Sequence, residues 1–164
     1  MKRFVLFLCY ALLLTSLCAC SSKDEEFDEP VNFYYRSKEI SYNSPTGVIQ
    51  PEVREGAGYY GNLTAFLRAY LFGPVSDELQ SFIPTDAYMV SCQIDNGVAT
   101  VVMSAQFANL SGVDLSAACS ALLMTIHDYT GADTLQVSAK DSLLDGKDTF
   151  VITMDSIVLM DTSA

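Results

Sequence analysis

The dipeptide Asn96-Gly97 constrains this chain more than any other pair of residues. Between runs of alternating apolar residues it is the strongest short hairpin signal, because the two-residue turn that suits strand twist needs positive φ at both central positions. Such a loop sets Asp95 opposite Val98. Counting outward then pairs Ile94 with Ala99, Cys92 with Val101 and Val90 with Met103, all apolar or small. The alternate set, Met89, Ser91 and Gln93 with Thr100, Val102 and Ser104, is more polar. One face therefore meets a core, and a slip of one residue would destroy that partition.

The flanking sequence supplies the other elements. Residues 31–42 read as a strand, with Phe33, Tyr35, Ile40 and Tyr42 at alternate places, and Asn43-Ser44-Pro45-Thr46-Gly47 breaks it. Residues 48–54 resume an extended segment, and Glu55-Gly56-Ala57-Gly58 is a loop. Residues 59–72 carry Tyr59, Leu63, Phe66, Leu67, Tyr70 and Leu71 on one 3.6-period face, which predicts a helix ended by Gly73-Pro74. Beyond the hairpin, Asp114 is a suitable N-cap for a second helix over 115–129. That helix is apolar around much of its circumference and must be largely covered; Gly131 closes it. A short strand over 134–139, a second hairpin turn at Asp145-Gly146 and a long terminal β segment over 150–160 complete the chain, with a bulge or bend expected at Asp155-Ser156. The order predicts a single α+β domain, a mixed sheet with two helices packed on one face: β-α-β-β-α-β plus a C-terminal strand.

The N-terminus is of another kind. Lys2 and Arg3 precede an uncharged apolar run over 4–14, the pattern of an export signal and too short for a retained spanning helix. At its end stands Leu17-Cys18-Ala19-Cys20. The residue before a cleavage site must be small, so Cys20, preceded by Ala19, is a better acceptor than Cys18, preceded by Leu17. The arrangement resembles the lipobox of bacterial lipoproteins, whose cysteine is acylated and becomes the new N-terminus. That resemblance makes Cys20 the lipidation site and places the protein outside the cytoplasm, anchored to a membrane through its lipid. A plain secretory signal with incidental cysteines is the alternative.

Three segments follow: a signal peptide over 1–19, a disordered acidic tether over 20–30 and a domain over 31–164. Removing the signal leaves 145 of 164 residues, enough for one core, and takes the formal charge from −11 to −13. A surface so acidic repels phosphate backbones, which argues against nucleic-acid binding. Only Cys92 and Cys119 remain in the domain, each among apolar residues. They read as small buried hydrophobes, and whether they pair is a question of geometry that sequence leaves open.

The segment from about Phe33 to about Leu144 resembles the GerM-type (GerMN) sporulation and spore germination domain. The likeness is carried by Val48-Ile49-Gln50-Pro51-Glu52-Val53-Arg54, the helix end Leu71-Phe72-Gly73-Pro74, Phe82-Ile83-Pro84, the hairpin Asp95-Asn96-Gly97-Val98-Ala99-Thr100-Val101, the Ser104–Leu110 stretch and the Ala/Leu-rich second helix. The resemblance implies a fold similar to ring-building motifs. It also implies a non-catalytic module for protein–protein interaction or oligomerisation at the cell envelope, with envelope or sporulation proteins, or further copies of itself, as partners. GerM itself looks like two such domains in tandem; here there is one, and its C-terminal hairpin is longer than the pattern asks for.

A search for chemistry assigns no catalytic, cofactor-binding or metal-binding residue. His127 is the only histidine, beside Asp128 near a helix end, where the helix dipole favours it. No Gly-x-Ser-x-Gly elbow precedes a helix, and Asp145-Gly146-Lys147-Asp148 lacks the ligand spacing of a calcium loop. The remaining candidates are aromatic. Phe33-Tyr34-Tyr35 and Tyr59-Tyr60 cannot all point inward in regular structure, so Tyr34 and one of Tyr59 or Tyr60 are candidate interface residues. A small solute- or cell-wall-fragment-binding lipoprotein is the alternative function, and it requires a concave apolar pocket with convergent polar groups.

Overall fold

A computed structural model describes residues 29–39 and 47–157. Cys20, the signal, most of the tether, Ile40, Tyr42 and the end of the terminal β segment lie outside them. The described residues form seven strands and two α-helices: β1 (Pro30–Ser37), β2 (Ile49–Glu55), α1 (Leu63–Leu71), β3 (Leu79–Gln80), β4 (Met89–Asp95), β5 (Val98–Met103), α2 (Gly112–Thr130), β6 (Thr134–Ala139) and β7 (Phe150–Thr153). The α+β class is as expected. The strands divide between two sheets rather than joining one: an antiparallel sheet ordered β2-β1-β3 and a mixed sheet ordered β4-β5-β6-β7. The division has a local cause. On the side of β1 away from β2, β3 supplies only two residues, opposite Arg36 and Ser37, and helix α2 takes over, with Thr125 Oγ1 accepting the backbone N–H of Tyr34 at 3.0 Å. A helix covers β1 where another strand would have joined the sheets.

The hairpin register holds near the turn and shifts away from it. Asp95 faces Val98, Ile94 faces Ala99 and Cys92 faces Val101, and Asn96 and Gly97 both have positive φ (49° and 77°). A bulge at Val90 then places Met89, not Val90, opposite Met103. The displacement follows from Ser104, which is 2 % exposed. Its backbone N–H donates to the Tyr88 carbonyl at 2.8 Å and its hydroxyl accepts from the Tyr88 N–H at 3.1 Å. Pinning Tyr88 opposite Ser104 brings Met89 onto the core and turns Val90 outward. β5 and β6 are parallel, joined through α2, so the sheet is mixed as expected.

The helices begin where backbone chemistry allows. Tyr59 belongs to a 3-10 turn over Ala57–Tyr59, Gly61 takes a left-handed conformation, and Asn62 caps α1 by accepting from the Ala65 N–H at 3.0 Å. The cap moves the helix start from 59 to 63. Helix α2 starts at Gly112 rather than after Asp114; its first-turn N–H of Gly112 is taken by Asp145 Oδ2 at 2.9 Å, a cap from 33 residues downstream. Gly131, with φ 75°, closes it. Residues Leu115 to Ile126 of α2 are buried at ten positions, including Ser120 and Thr125, whose hydroxyls donate to carbonyls one turn back. That burial is the covering its composition demands. After β7, Met154–Ser156 forms a 3-10 turn, the interruption expected at Asp155-Ser156.

The core joins β1 and α1 to the inner face of the mixed sheet through Phe33, Tyr35, Phe66, Tyr70, Val101, Leu122 and Val137. Aromatic stacking dominates the β1–α1 end: Phe33 lies 4.8 Å from Phe66, and Tyr35 stacks on Tyr70 at 5.1 Å. Cys92 and Cys119 are free thiols, and burial pushes the Cys119 thiol up to about 12.

Candidate interaction surface

The three tyrosines singled out from sequence have three fates. Tyr34 is half-buried between β1 and α2, and its hydroxyl donates to Asp128 Oδ2 at 2.7 Å, alongside the Asn32 amide at 3.0 Å. Burial, then the hydrogen bond to Asp128 and its negative charge, hold the Tyr34 phenol well above its ordinary range. It fastens two elements together. Tyr59 is also half-buried, packed edge-on against Phe33 and Phe66, and its carbonyl accepts the Tyr129 hydroxyl. Tyr60 is 85 % exposed.

Tyr60 is held out by its neighbours. Tyr59 is committed inward, and the turn through Gly61 to the Asn62 cap leaves Tyr60 on the outside of the bend. Open grooves run on either side of it. One, of about 300 Å³, is lined by Pro30, Val31, Gly56, Tyr129 and the carboxylates of Glu29 and Asp128. The other, of about 330 Å³, is lined by Gly61, Leu63, Tyr129 and Thr130. Glu29 and Pro30 are where the described chain begins, so the first groove lies where a tether would enter. Gly56 shapes this corner: a Cβ there would sit 2.5 Å from the Glu29 carbonyl oxygen, which instead accepts the Gly56 N–H at 2.7 Å.

A second polar cluster, missed in the sequence, is built on β2 itself. The Glu52 carboxylate and the Arg54 guanidinium form an ion pair with side chains only 10 % and 17 % exposed. Glu52 accepts the N–H groups of Val75 and Ser76 at 2.9 and 2.8 Å. Arg54 donates to the Gly73 carbonyl at 2.7 Å and lies 4.8 Å above the Phe33 ring. The pair fixes the loop after α1, and all its charges are used within the fold. The alternation Glu-Val-Arg in a strand is the signal that could have found it, since both charges fall on one face.

His127 Nδ1 faces two acceptors, the Ala132 carbonyl at 3.2 Å and an Asp133 carboxylate oxygen at 3.1 Å, so Nδ1 carries a proton and the ring braces the end of α2. Among the described residues no group of His, Cys, Asp and Glu side chains could hold a metal ion, and no helix is long and apolar enough to cross a membrane.

No protein-family model matches the sequence, and no curated protein matches it. Solved structures do. The tandem GerMN domains of the sporulation protein GerM from Bacillus subtilis align at 16 % identity with a TM-score of 0.56, over 83 % of this chain and 49 % of that one, so this chain spans about half of the tandem. The first GerMN domain of the same protein aligns at 17 % identity and TM-score 0.48, over 68 % and 84 % of the two chains. A Clostridium perfringens protein assigned as a lipoprotein aligns at 17 % identity and TM-score 0.49, over 80 % and 91 %. The described residues form a small α+β module with two α-helices and two sheets. Within that class its fold is of the GerMN type.

Proposed function

We propose that this protein is a non-catalytic lipoprotein, anchored outside the cytoplasm through lipid on Cys20, whose GerMN-type domain binds other envelope proteins. The observation that carries the reading is Tyr60, an almost fully exposed tyrosine between two grooves beside the point where the chain enters the domain. Tyrosine supplies contact area with little rotamer entropy to lose and is enriched in interface cores. Open grooves flanking a projecting ring suit a partner surface that grips the ring. They suit less well a small ligand, which needs most of its own surface buried, and the solute-binding reading ranks second for that reason. The likeness to a domain of a sporulation protein makes sporulation or germination the first setting to test.

Two measurements test this. Cys20→Ser should move the protein from the membrane to the soluble fraction; a fully processed variant that stays membrane-bound contradicts the anchor. Co-purification after crosslinking in native membranes should recover envelope proteins; recovery solely as a free monomer contradicts the interaction.

A further inference from the structure

The four sheet edges among the described residues are unequally protected. Edge strands expose unpaired N–H and C=O groups, and proteins blunt them with proline, charge or shortness. β2 carries Pro51, Glu52, Arg54 and Glu55; β3 has two residues and β7 four. β4 has seven residues, no proline and no charge before Asp95. Its bulge lies at Val90, leaving Ser91 to Asp95 as regular strand.

We propose that this protein self-associates by antiparallel pairing of β4 with β4 of a second copy, centred on Gln93, to give a continuous eight-stranded sheet. The proposal rests on the interaction reading above and names a second copy as one partner. The hydrogen-bond phase selects the register. The two-residue turn makes Asp95 and Val98 a hydrogen-bonded pair, so Gln93 and Ser91 also point their backbone groups at β5. The groups of Cys92 and Ile94 then face outward. Centring on Gln93 pairs Cys92 with Ile94 of the second copy and the reverse, which uses all four outward groups twice over. The side chains are self-complementary: Cys92 meets Ile94 on the inner face, while on the outer face Gln93 meets Gln93 and Ser91 meets Asp95. No like charges oppose one another. Ile94, on the inner face, is 36 % exposed, an apolar margin that a second copy would extend over.

Gln93 and its symmetry mate form a non-hydrogen-bonded pair, whose Cα spacing of about 4.5 Å lies within disulfide range. The test is Gln93→Cys in the full-length protein in native membranes, in a Cys92→Ala background, oxidised with copper phenanthroline. Val151→Cys on the opposite edge, also exposed, is the collision control. Disulfide-linked dimer at position 93 should exceed that at 151 at least five-fold, and adding Ile94→Lys should return it to the level of 151. Equal linkage at the two positions, no linkage at 93, or linkage indifferent to Ile94→Lys overturns the proposal. An amine crosslinker applied to the same membranes separates the two readings. If it captures other proteins while position 93 stays unlinked, only the self-pairing fails; if it captures nothing, the interaction reading fails as well.

Discussion

Phe66 of α1 and Tyr129 of α2 stack with ring centroids 4.0 Å apart and planes within 12°. The pair links the two helices directly, and Tyr129 also lines both grooves beside Tyr60. Core and surface meet in one side chain. Tyr129→Ala should therefore destabilise the domain by about 3 kcal/mol. Tyr129→Phe keeps the stack, loses the hydrogen bond to the Tyr59 carbonyl and should cost about 1 kcal/mol. Urea denaturation of the two variants checks both values, and equal costs would mean that the stack contributes nothing.

Breaking the Glu52–Arg54 pair leaves a nearly buried charge without its partner. Glu52→Ala should cost about 3 kcal/mol and expose the Val75 and Ser76 amides, which lose their acceptor. Hydrogen exchange at those two amides should quicken well beyond the global change in stability. Uniform acceleration across the domain would show that Glu52 does not hold this loop.

The Tyr70 hydroxyl is fully buried and is the one buried side-chain polar atom without a hydrogen-bond partner among the described residues. Tyr70→Phe removes an unsatisfied group while keeping the stack on Tyr35, and should be neutral or stabilising by about 1 kcal/mol. A loss of more than about 1 kcal/mol by thermal denaturation would show that the hydroxyl has a partner.

Alkaline pH should unfold the domain. Burial raises the Cys119 thiol from 9.0 to about 12, and burial likewise holds the phenols of Tyr34, Tyr35 and Tyr70 above their usual range. Each group keeps its proton in the folded state at a pH where the unfolded chain has lost it. The stability they confer is complete below pH 9 and falls as pH rises from there towards 12 and beyond. Melting temperature should be flat from pH 7 to about 8.5 and decline steeply above it. Cys119→Ala should soften the decline.

Much of this fold was legible because local chemistry and tertiary packing agree. Asn96-Gly97 set the register for the five pairs nearest the turn, from Asp95–Val98 to Ser91–Val102, and Thr134–Ala139 matches its predicted strand because its alternation is undisturbed. What sequence could not show depends on partners distant along the chain. Val90 leaves the register because Ser104 holds Tyr88; the sheets separate because Thr125, 91 residues away, answers the Tyr34 N–H. The candidate surface was half legible. Adjacent tyrosines said that one of Tyr59 and Tyr60 faces out, but the choice of Tyr60 depends on the turn at Gly61 and on Tyr129 bonding to the Tyr59 carbonyl. Tyr34 gave no local hint that Asp128 would hold its hydroxyl.

The central claim is that the surface around Tyr60 meets another protein at the membrane. A photoactivatable phenylalanine analogue at position 60 of the lipidated, full-length protein, irradiated in native membranes, tests this directly. The account predicts a discrete crosslinked band containing an envelope protein, absent when the probe is moved to Val113, which is 84 % exposed at the far end of α2. Uncrosslinked monomer alone at position 60, or the same bands from both positions, would contradict it.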